Sequence, residues 1–128
     1  MSDLFAERFA AVRQRFAAKL DGRIDEIEAT VPELDRDGAQ ETLARAHRHA
    51  HDLCGVGPTM GFVLTGKTAR AIEQVMLAAL KANRPLTGDE VARVTDGVAE
   101  LRSAARTETK SNEAKSAEPE SAETKSQE

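Results

Sequence analysis

Apolar residues recur every three or four positions along four separate stretches of the chain. The first stretch runs from Asp3 to about Ala29, the second begins near Ala39, the third covers roughly Leu64 to Ala82, and the fourth follows Thr87. This spacing places the apolar side chains of each stretch on one face of an α-helix. Four amphipathic helices joined by short connectors predict an all-α protein, folded as an antiparallel up-down four-helix bundle.

The apolar stripe of the first helix is predicted to pack into the core rather than to line a ligand site. Val31-Pro32 is predicted to end this helix, because proline disfavours helical angles at the residue before it. The stripe consists of Phe5, Phe9, Val12, Phe16, Leu20, Ile24 and Ile27.

The second helix holds all three histidines of the protein. His51 lies roughly 120° from the centre of the apolar face at 100° per residue, so its imidazole is predicted to point to solvent. Gly55 costs the helix about 1 kcal/mol relative to Ala, and it leaves bare backbone one turn after His51. Pro58 predicts either a kink after Cys54 or an early end of the helix. The predicted core face consists of Leu43, Ala46, Ala50, Leu53, Gly57 and Met60.

The fourth helix is predicted to start at a capping box, in which Thr87 and Glu90 satisfy each other's backbone donors. From Thr107 onward the only apolar residues are alanines, and the segment holds six acidic and three basic residues. Such a segment buries too little apolar surface to offset the entropy of ordering it. We therefore expect one bundle domain over residues 1–106 and a disordered acidic tail over residues 107–128.

Composition and charge exclude several classes of function. The chain has 128 residues, a net charge of −4 and 3% aromatic residues, and we expect no nucleic-acid partner because no basic patch is present. The single cysteine and the lack of a signal peptide indicate a non-oxidising compartment. No apolar run approaches the ~20 residues of a membrane span. A soluble, cytoplasmic protein without a membrane partner is expected.

The sequence around His51 resembles the phosphorylation motif of histidine phosphotransfer (HPt) domains, including those that begin chemotaxis histidine kinases. The string Ala50-His51-Asp52-Leu53-Cys54-Gly55, followed by Gly61-Phe62, matches the family pattern except at Cys54, where the family usually has Lys. Glu73 follows His51 by 22 residues, at the place where the family tends to have a Glu or Gln that orients the imidazole.

This resemblance implies that His51 accepts a phosphoryl group through Nε2 and that Glu73 accepts a hydrogen bond from its Nδ1–H. Gly55 would give a receiver domain access to the histidine. The expected partners are a histidine kinase and the receiver domains of response regulators. The protein would be a monomeric phosphoryl carrier without independent turnover, with no cofactor of its own and with Mg²⁺ bound to the partner receiver. No ATP-binding glycine loop is present, so self-phosphorylation from ATP is not expected.

Cys54 leaves open what supplies positive charge near the phosphoryl group. Two candidates are Arg70, one turn before Glu73, and His47, one turn before His51, when it is protonated. Cys54 itself is interpreted as a small, half-buried residue rather than a redox site.

Two other functions compete with the relay. The protein could be a non-catalytic adaptor that binds or sequesters a receiver domain, an alternative motivated by the missing Lys. It could also bind a transition metal through His47 and His51, although no third ligand is recognisable in the sequence.

Overall fold

Residues 2–117 are described by a computed structural model, in which four α-helices follow one another with short connections. Each helix packs against the next, and α1 also packs against α4, so the helices close an antiparallel up-down bundle and confirm the predicted fold. None of the described helices is both long and apolar enough to cross a lipid bilayer. The helices are α1 (Ser2–Thr30), α2 (Gln40–Thr59), α3 (Val63–Lys81) and α4 (Gly88–Ala117), with a 3₁₀ helix over Val31–Glu33 after α1.

The predicted apolar faces of α2, α3 and α4 form the core. On α2 the predicted face is buried except for Met60, which is half-buried against the core. Leu34, in the connector between α1 and α2, is also fully buried, and its carbonyl accepts a hydrogen bond from the Leu86 N–H at 2.9 Å. The main core residues of the last two helices are Ile72, Met76, Ala79, Val94, Val98, Leu101 and Ala105.

The turn between α2 and α3 is fixed by its backbone and by one aromatic contact. Gly61 has φ +86°, the left-handed conformation that glycine adopts without strain at a helix C-terminus. The Phe62 N–H donates to the Gly57 carbonyl at 2.7 Å. The Phe62 ring is buried and meets Phe16 of α1 edge to face, with 5.2 Å between the ring centroids. The turn is thereby held against α1.

Pro58 lies in the last turn of α2, and the helix ends one residue later at Thr59. A Cβ on Gly66 of α3 would lie only 2.8 Å from Cδ of Pro58. Glycine at position 66 therefore permits the close approach of the two helices where Pro58 meets α3.

The prediction that the stripe of α1 packs into the core is wrong for its first turns. Phe16 and the later stripe residues are buried, whereas Phe5 is 72% exposed, Val12 39% and Phe9 36%. Ala10 and Phe62, which lies at the α2–α3 turn, line the same concavity. Phe5 and Phe9 precede Ala10 in α1, and no other described helix buries them.

The predicted disorder is wrong for residues 107–117, because α4 continues past residue 106 to Ala117. Polar contacts rather than apolar burial hold this extension. The Glu108 carboxylate accepts hydrogen bonds from the backbone N–H groups of Leu64 at 2.8 Å and Thr65 at 2.7 Å, and from the Thr65 hydroxyl at 2.7 Å. The Asn112 amide donates to the Gly61 carbonyl at 3.3 Å. The rest of the predicted tail, residues 118–128, lies outside the described residues.

The predicted capping box at the start of α4 is confirmed. The Thr87 N–H donates to the Glu90 carboxylate at 2.9 Å, and the Glu90 N–H donates to the Thr87 hydroxyl at 3.1 Å. Arg84 adds a bidentate pair to the same carboxylate, at 2.8 and 3.1 Å. Hydrogen bonds from the Arg84 guanidinium and the Thr87 backbone lower the pKa of Glu90 from 4.5 to about 2.

Candidate functional site

His51 projects from the middle of α2, and its side chain is 65% exposed. Its Nδ1 lies 2.7 Å from Oε2 of Glu73 on α3. Because α2 and α3 form an antiparallel hairpin, His51 and Glu73, which lie at similar distances before and after the turn, face each other across the two helices. The Glu73 carboxylate is mostly shielded from solvent, with 14% of the side chain exposed.

The contact with Glu73 determines which nitrogen of His51 is free. An ionised carboxylate only accepts hydrogen bonds, so the Nδ1 of His51 must carry the proton that lies between them. In a neutral imidazole with its proton on Nδ1, the lone pair is on Nε2. The Nε2 atom of this exposed side chain is thus left with a free lone pair, which can act as a nucleophile.

The surface next to His51 carries few projecting side chains. A Cβ built on Gly55 would have no atom within 4 Å, so no packing contact requires a glycine at this position. Val56 beside it is 40% exposed. Cys54 is half-buried and packs against the core, as the sequence interpretation expected.

His47 occupies the helical turn before His51 and faces the same glutamate. Its Nε2 lies 3.4 Å from Oε2 of Glu73, and the two imidazole rings are nearly parallel at 14°, with 6.0 Å between their centroids. His49 turns the other way, toward Glu26 of α1 at 3.9 Å. Across residues 2–117, no group of three or more His, Cys, Asp or Glu side chains is arranged to hold a metal ion.

A shallow concavity surrounds the two histidines and Glu73 and holds one cationic side chain that the sequence analysis missed. Arg48 lines it, whereas Arg70 is exposed on α3 and is not among the lining residues. Arg48 precedes His51 by three residues, a spacing that puts both side chains on one helix face and that would have identified it. The concavity is lined by Ala44, His47, Arg48, His51, Glu73, Leu77 and Leu80.

Together these features give a solvent-facing imidazole with an oriented ring, next to bare backbone, an exposed valine and an arginine. Such a site can attack an electrophile presented by another macromolecule. The concavity is shallow and does not enclose a small substrate.

Comparison with protein families gives a match. A family model described as Hpt domain matches residues 11–104, which include all of α2 and α3 and most of α1 and α4. Comparisons with curated proteins and with solved structures found no match.

Proposed function

The chain belongs to the Hpt domain family, and we propose that it relays a phosphoryl group through His51 between partner proteins of a two-component pathway. Histidine phosphotransfer in a phosphorelay is the general role of the family, whose members carry phosphoryl groups rather than turn over a substrate. The proposed partners are a histidine kinase and receiver domains, met by a monomer in the cytoplasm. The observation that carries the proposal is the 2.7 Å contact between Glu73 and Nδ1 of an exposed His51.

The proposed step is a direct exchange between two carriers. The Nε2 lone pair of His51 attacks phosphorus in a phospho-aspartate of a receiver domain. The P–N bond forms while the bond between phosphorus and the aspartyl oxygen breaks, and the aspartate leaves as a carboxylate. The proton on Nδ1 stays between His51 and Glu73. Mg²⁺ bound by the receiver would neutralise charge on the transferring group, so this chain contributes an oriented nucleophile.

A receiver must bring its aspartate within bonding distance of Nε2, and the surface around His51 suits such an approach. Gly55 leaves open space one turn away, and Val56 offers apolar area for contact. Cys54 stands where the family usually has a lysine. We propose that Arg48 takes the place of that lysine as the cation nearest the transferred group. It lines the same concavity as His51 and Glu73.

The test is phosphoryl transfer from a panel of radiolabelled kinase–receiver donors to the full chain and its His51→Gln variant. We expect an acid-labile, alkali-stable label in the wild type that is absent from His51→Gln. His49→Gln is the matched control, because His49 lies on the same helix but turns toward α1. Label that persists in His51→Gln would reject His51 as the acceptor.

The adaptor is the second candidate, because Cys54 stands where the family has its lysine. The same donors distinguish the two functions when binding is measured beside transfer. A receiver that binds the wild type stably, while no donor labels it, would support the adaptor and reject the relay.

A further inference from the structure

His47 holds a buried polar atom that the proposed relay does not use. Its side chain is 20% exposed, but its Nε2 is fully buried and has no hydrogen-bond partner that meets ordinary geometry among the described residues. The nearest acceptor is Oε2 of Glu73, at 3.4 Å. This is the same oxygen that lies 2.7 Å from Nδ1 of His51. One carboxylate oxygen therefore faces two imidazole nitrogens.

The environment of Nε2 determines where the proton of His47 is. A lone pair on Nε2 would face a carboxylate oxygen in a buried position, which is repulsive and leaves a polar atom unsatisfied. With the proton on Nε2, the same geometry places an N–H beside an anionic acceptor, which is attractive. A small movement of either side chain brings this pair within hydrogen-bond distance.

We propose that His47 is a positioning residue, which donates from Nε2 to Glu73 and so fixes the carboxylate that orients His51. This inference rests on the proposed function, since it assigns His47 a part in that site. A glutamate has three rotatable side-chain bonds, and an exposed histidine is a weak restraint on it. His47 is better able to hold Glu73, because its side chain is only 20% exposed and its ring is stacked on the His51 ring.

The proposal is tested first on the unmodified, full-length wild type by ¹⁵N NMR of its histidine rings, which reports the protonated nitrogen directly. We expect the Nε2–H form for His47 and the Nδ1–H form for His51. A neutral His47 ring with its proton on Nδ1 and none on Nε2 would overturn the proposal without any variant. This measurement needs no phosphoryl donor, so it stands even where the relay itself fails.

Two substitutions then separate the donor from the packing. His47→Leu keeps apolar volume without a donor, whereas His47→Gln keeps an N–H near the position of Nε2. We expect His47→Leu to shift the His51 ring toward a mixture of tautomers and to slow phosphorylation roughly three- to tenfold, the effect of one net hydrogen bond. His47→Gln should keep the wild-type tautomer of His51 and the wild-type rate of phosphorylation. His49→Leu, on the other side of α2, is the control and should change neither.

The outcomes separate the two proposals. Suppose that the wild type is labelled and that His47→Leu has the same His51 tautomer and the same phosphorylation rate. This result would overturn the role of His47 and leave the relay intact. The same holds where His47→Gln is as impaired as His47→Leu, because the donor is then not what matters. Absence of label from every donor rejects the relay, and the ring nitrogens of His47 and His51 still decide the positioning role.

Discussion

The carboxylate of Glu73 lies 2.7 Å from Nδ1 of His51, across the α2–α3 hairpin, and the His51 side chain is 65% exposed. Glu73→Ala removes this acceptor and lets both tautomers and several ring orientations form. We expect phosphorylation of His51 to slow on the order of tenfold, about 1.4 kcal/mol in the barrier. Glu73→Gln keeps an oxygen acceptor and should lose less. The measurement is the rate of label transfer from a phosphorylated receiver.

A matched control exists on α1. Glu26 also faces a histidine of α2, His49, but it lies outside the concavity around His51. The Glu26→Ala variant should accept label from a phosphorylated receiver at the wild-type rate. Equal rates for Glu73→Ala and the wild type would show that the contact does not orient the nucleophile.

Substitution of Gly55 should have opposite effects on the stability of the fold and on the rate of phosphoryl transfer. A Cβ at this position meets no atom within 4 Å, so Gly55→Gln should stabilise the fold by up to about 1 kcal/mol, as expected where glycine is replaced inside a helix. The same side chain would stand in the path of a docking receiver, and transfer should fall. Urea unfolding and transfer rates are measured on the same preparations. Gly22→Ala on α1, which also has open space, should stabilise the fold and leave transfer unchanged.

Arg48 and Arg70 are rival sources of the positive charge that Cys54 does not provide. Arg48 lines the concavity around His51, whereas Arg70 does not. Arg48→Ala should therefore slow transfer about fivefold, close to 1 kcal/mol for one exposed charge, and Arg70→Ala should have little effect. The opposite order of the two rates would assign the charge to Arg70.

The helical faces and the capping box at Thr87 were predictable, because each depends on local periodicity or on a short motif. The pairing of His51 with Glu73 was expected from the resemblance to a known family, not from local pattern. Which part of an apolar face is covered by other helices cannot be predicted from the local sequence. Phe5 and Phe16 belong to one stripe, yet only Phe16 lies under other helices. Periodicity identifies the apolar side of α1 but not the point where the neighbouring hairpin ends.

The length of α4 was mispredicted for a related reason. A count of apolar residues gave no basis for order beyond residue 106, because Glu108 and Asn112 act by hydrogen bonds to the α2–α3 turn. Those partners are more than 40 residues away in sequence. The place of Arg48 in the concavity was predictable in principle, because its three-residue spacing from His51 is local.

Glu90 should make the stability of the bundle depend on pH in acid. Its folded-state pKa of about 2 lies below its ordinary value of 4.5, so its ionised form stabilises the fold fully above that ordinary value. This contribution decreases as the pH falls below 4.5 and is lost below about 2. The free energy of unfolding should therefore exceed that of Glu90→Gln at pH 6, and the gap should close toward pH 2. Asp89→Asn removes an exposed charge from the same turn and should show a smaller change.

Glu108 caps α3 from another helix, and its loss should be measurable as stability. Its carboxylate accepts the backbone N–H groups of Leu64 and Thr65, donors that have no partner within α3 because they lie in its first turn. Deleting residues 107–128 removes this cap and should cost about 1–2 kcal/mol in urea unfolding, as for the loss of an N-cap. Glu108→Ala alone should reproduce most of that loss. Deleting only residues 118–128 leaves the cap in place, so an equal loss from this shorter deletion would contradict the role of Glu108.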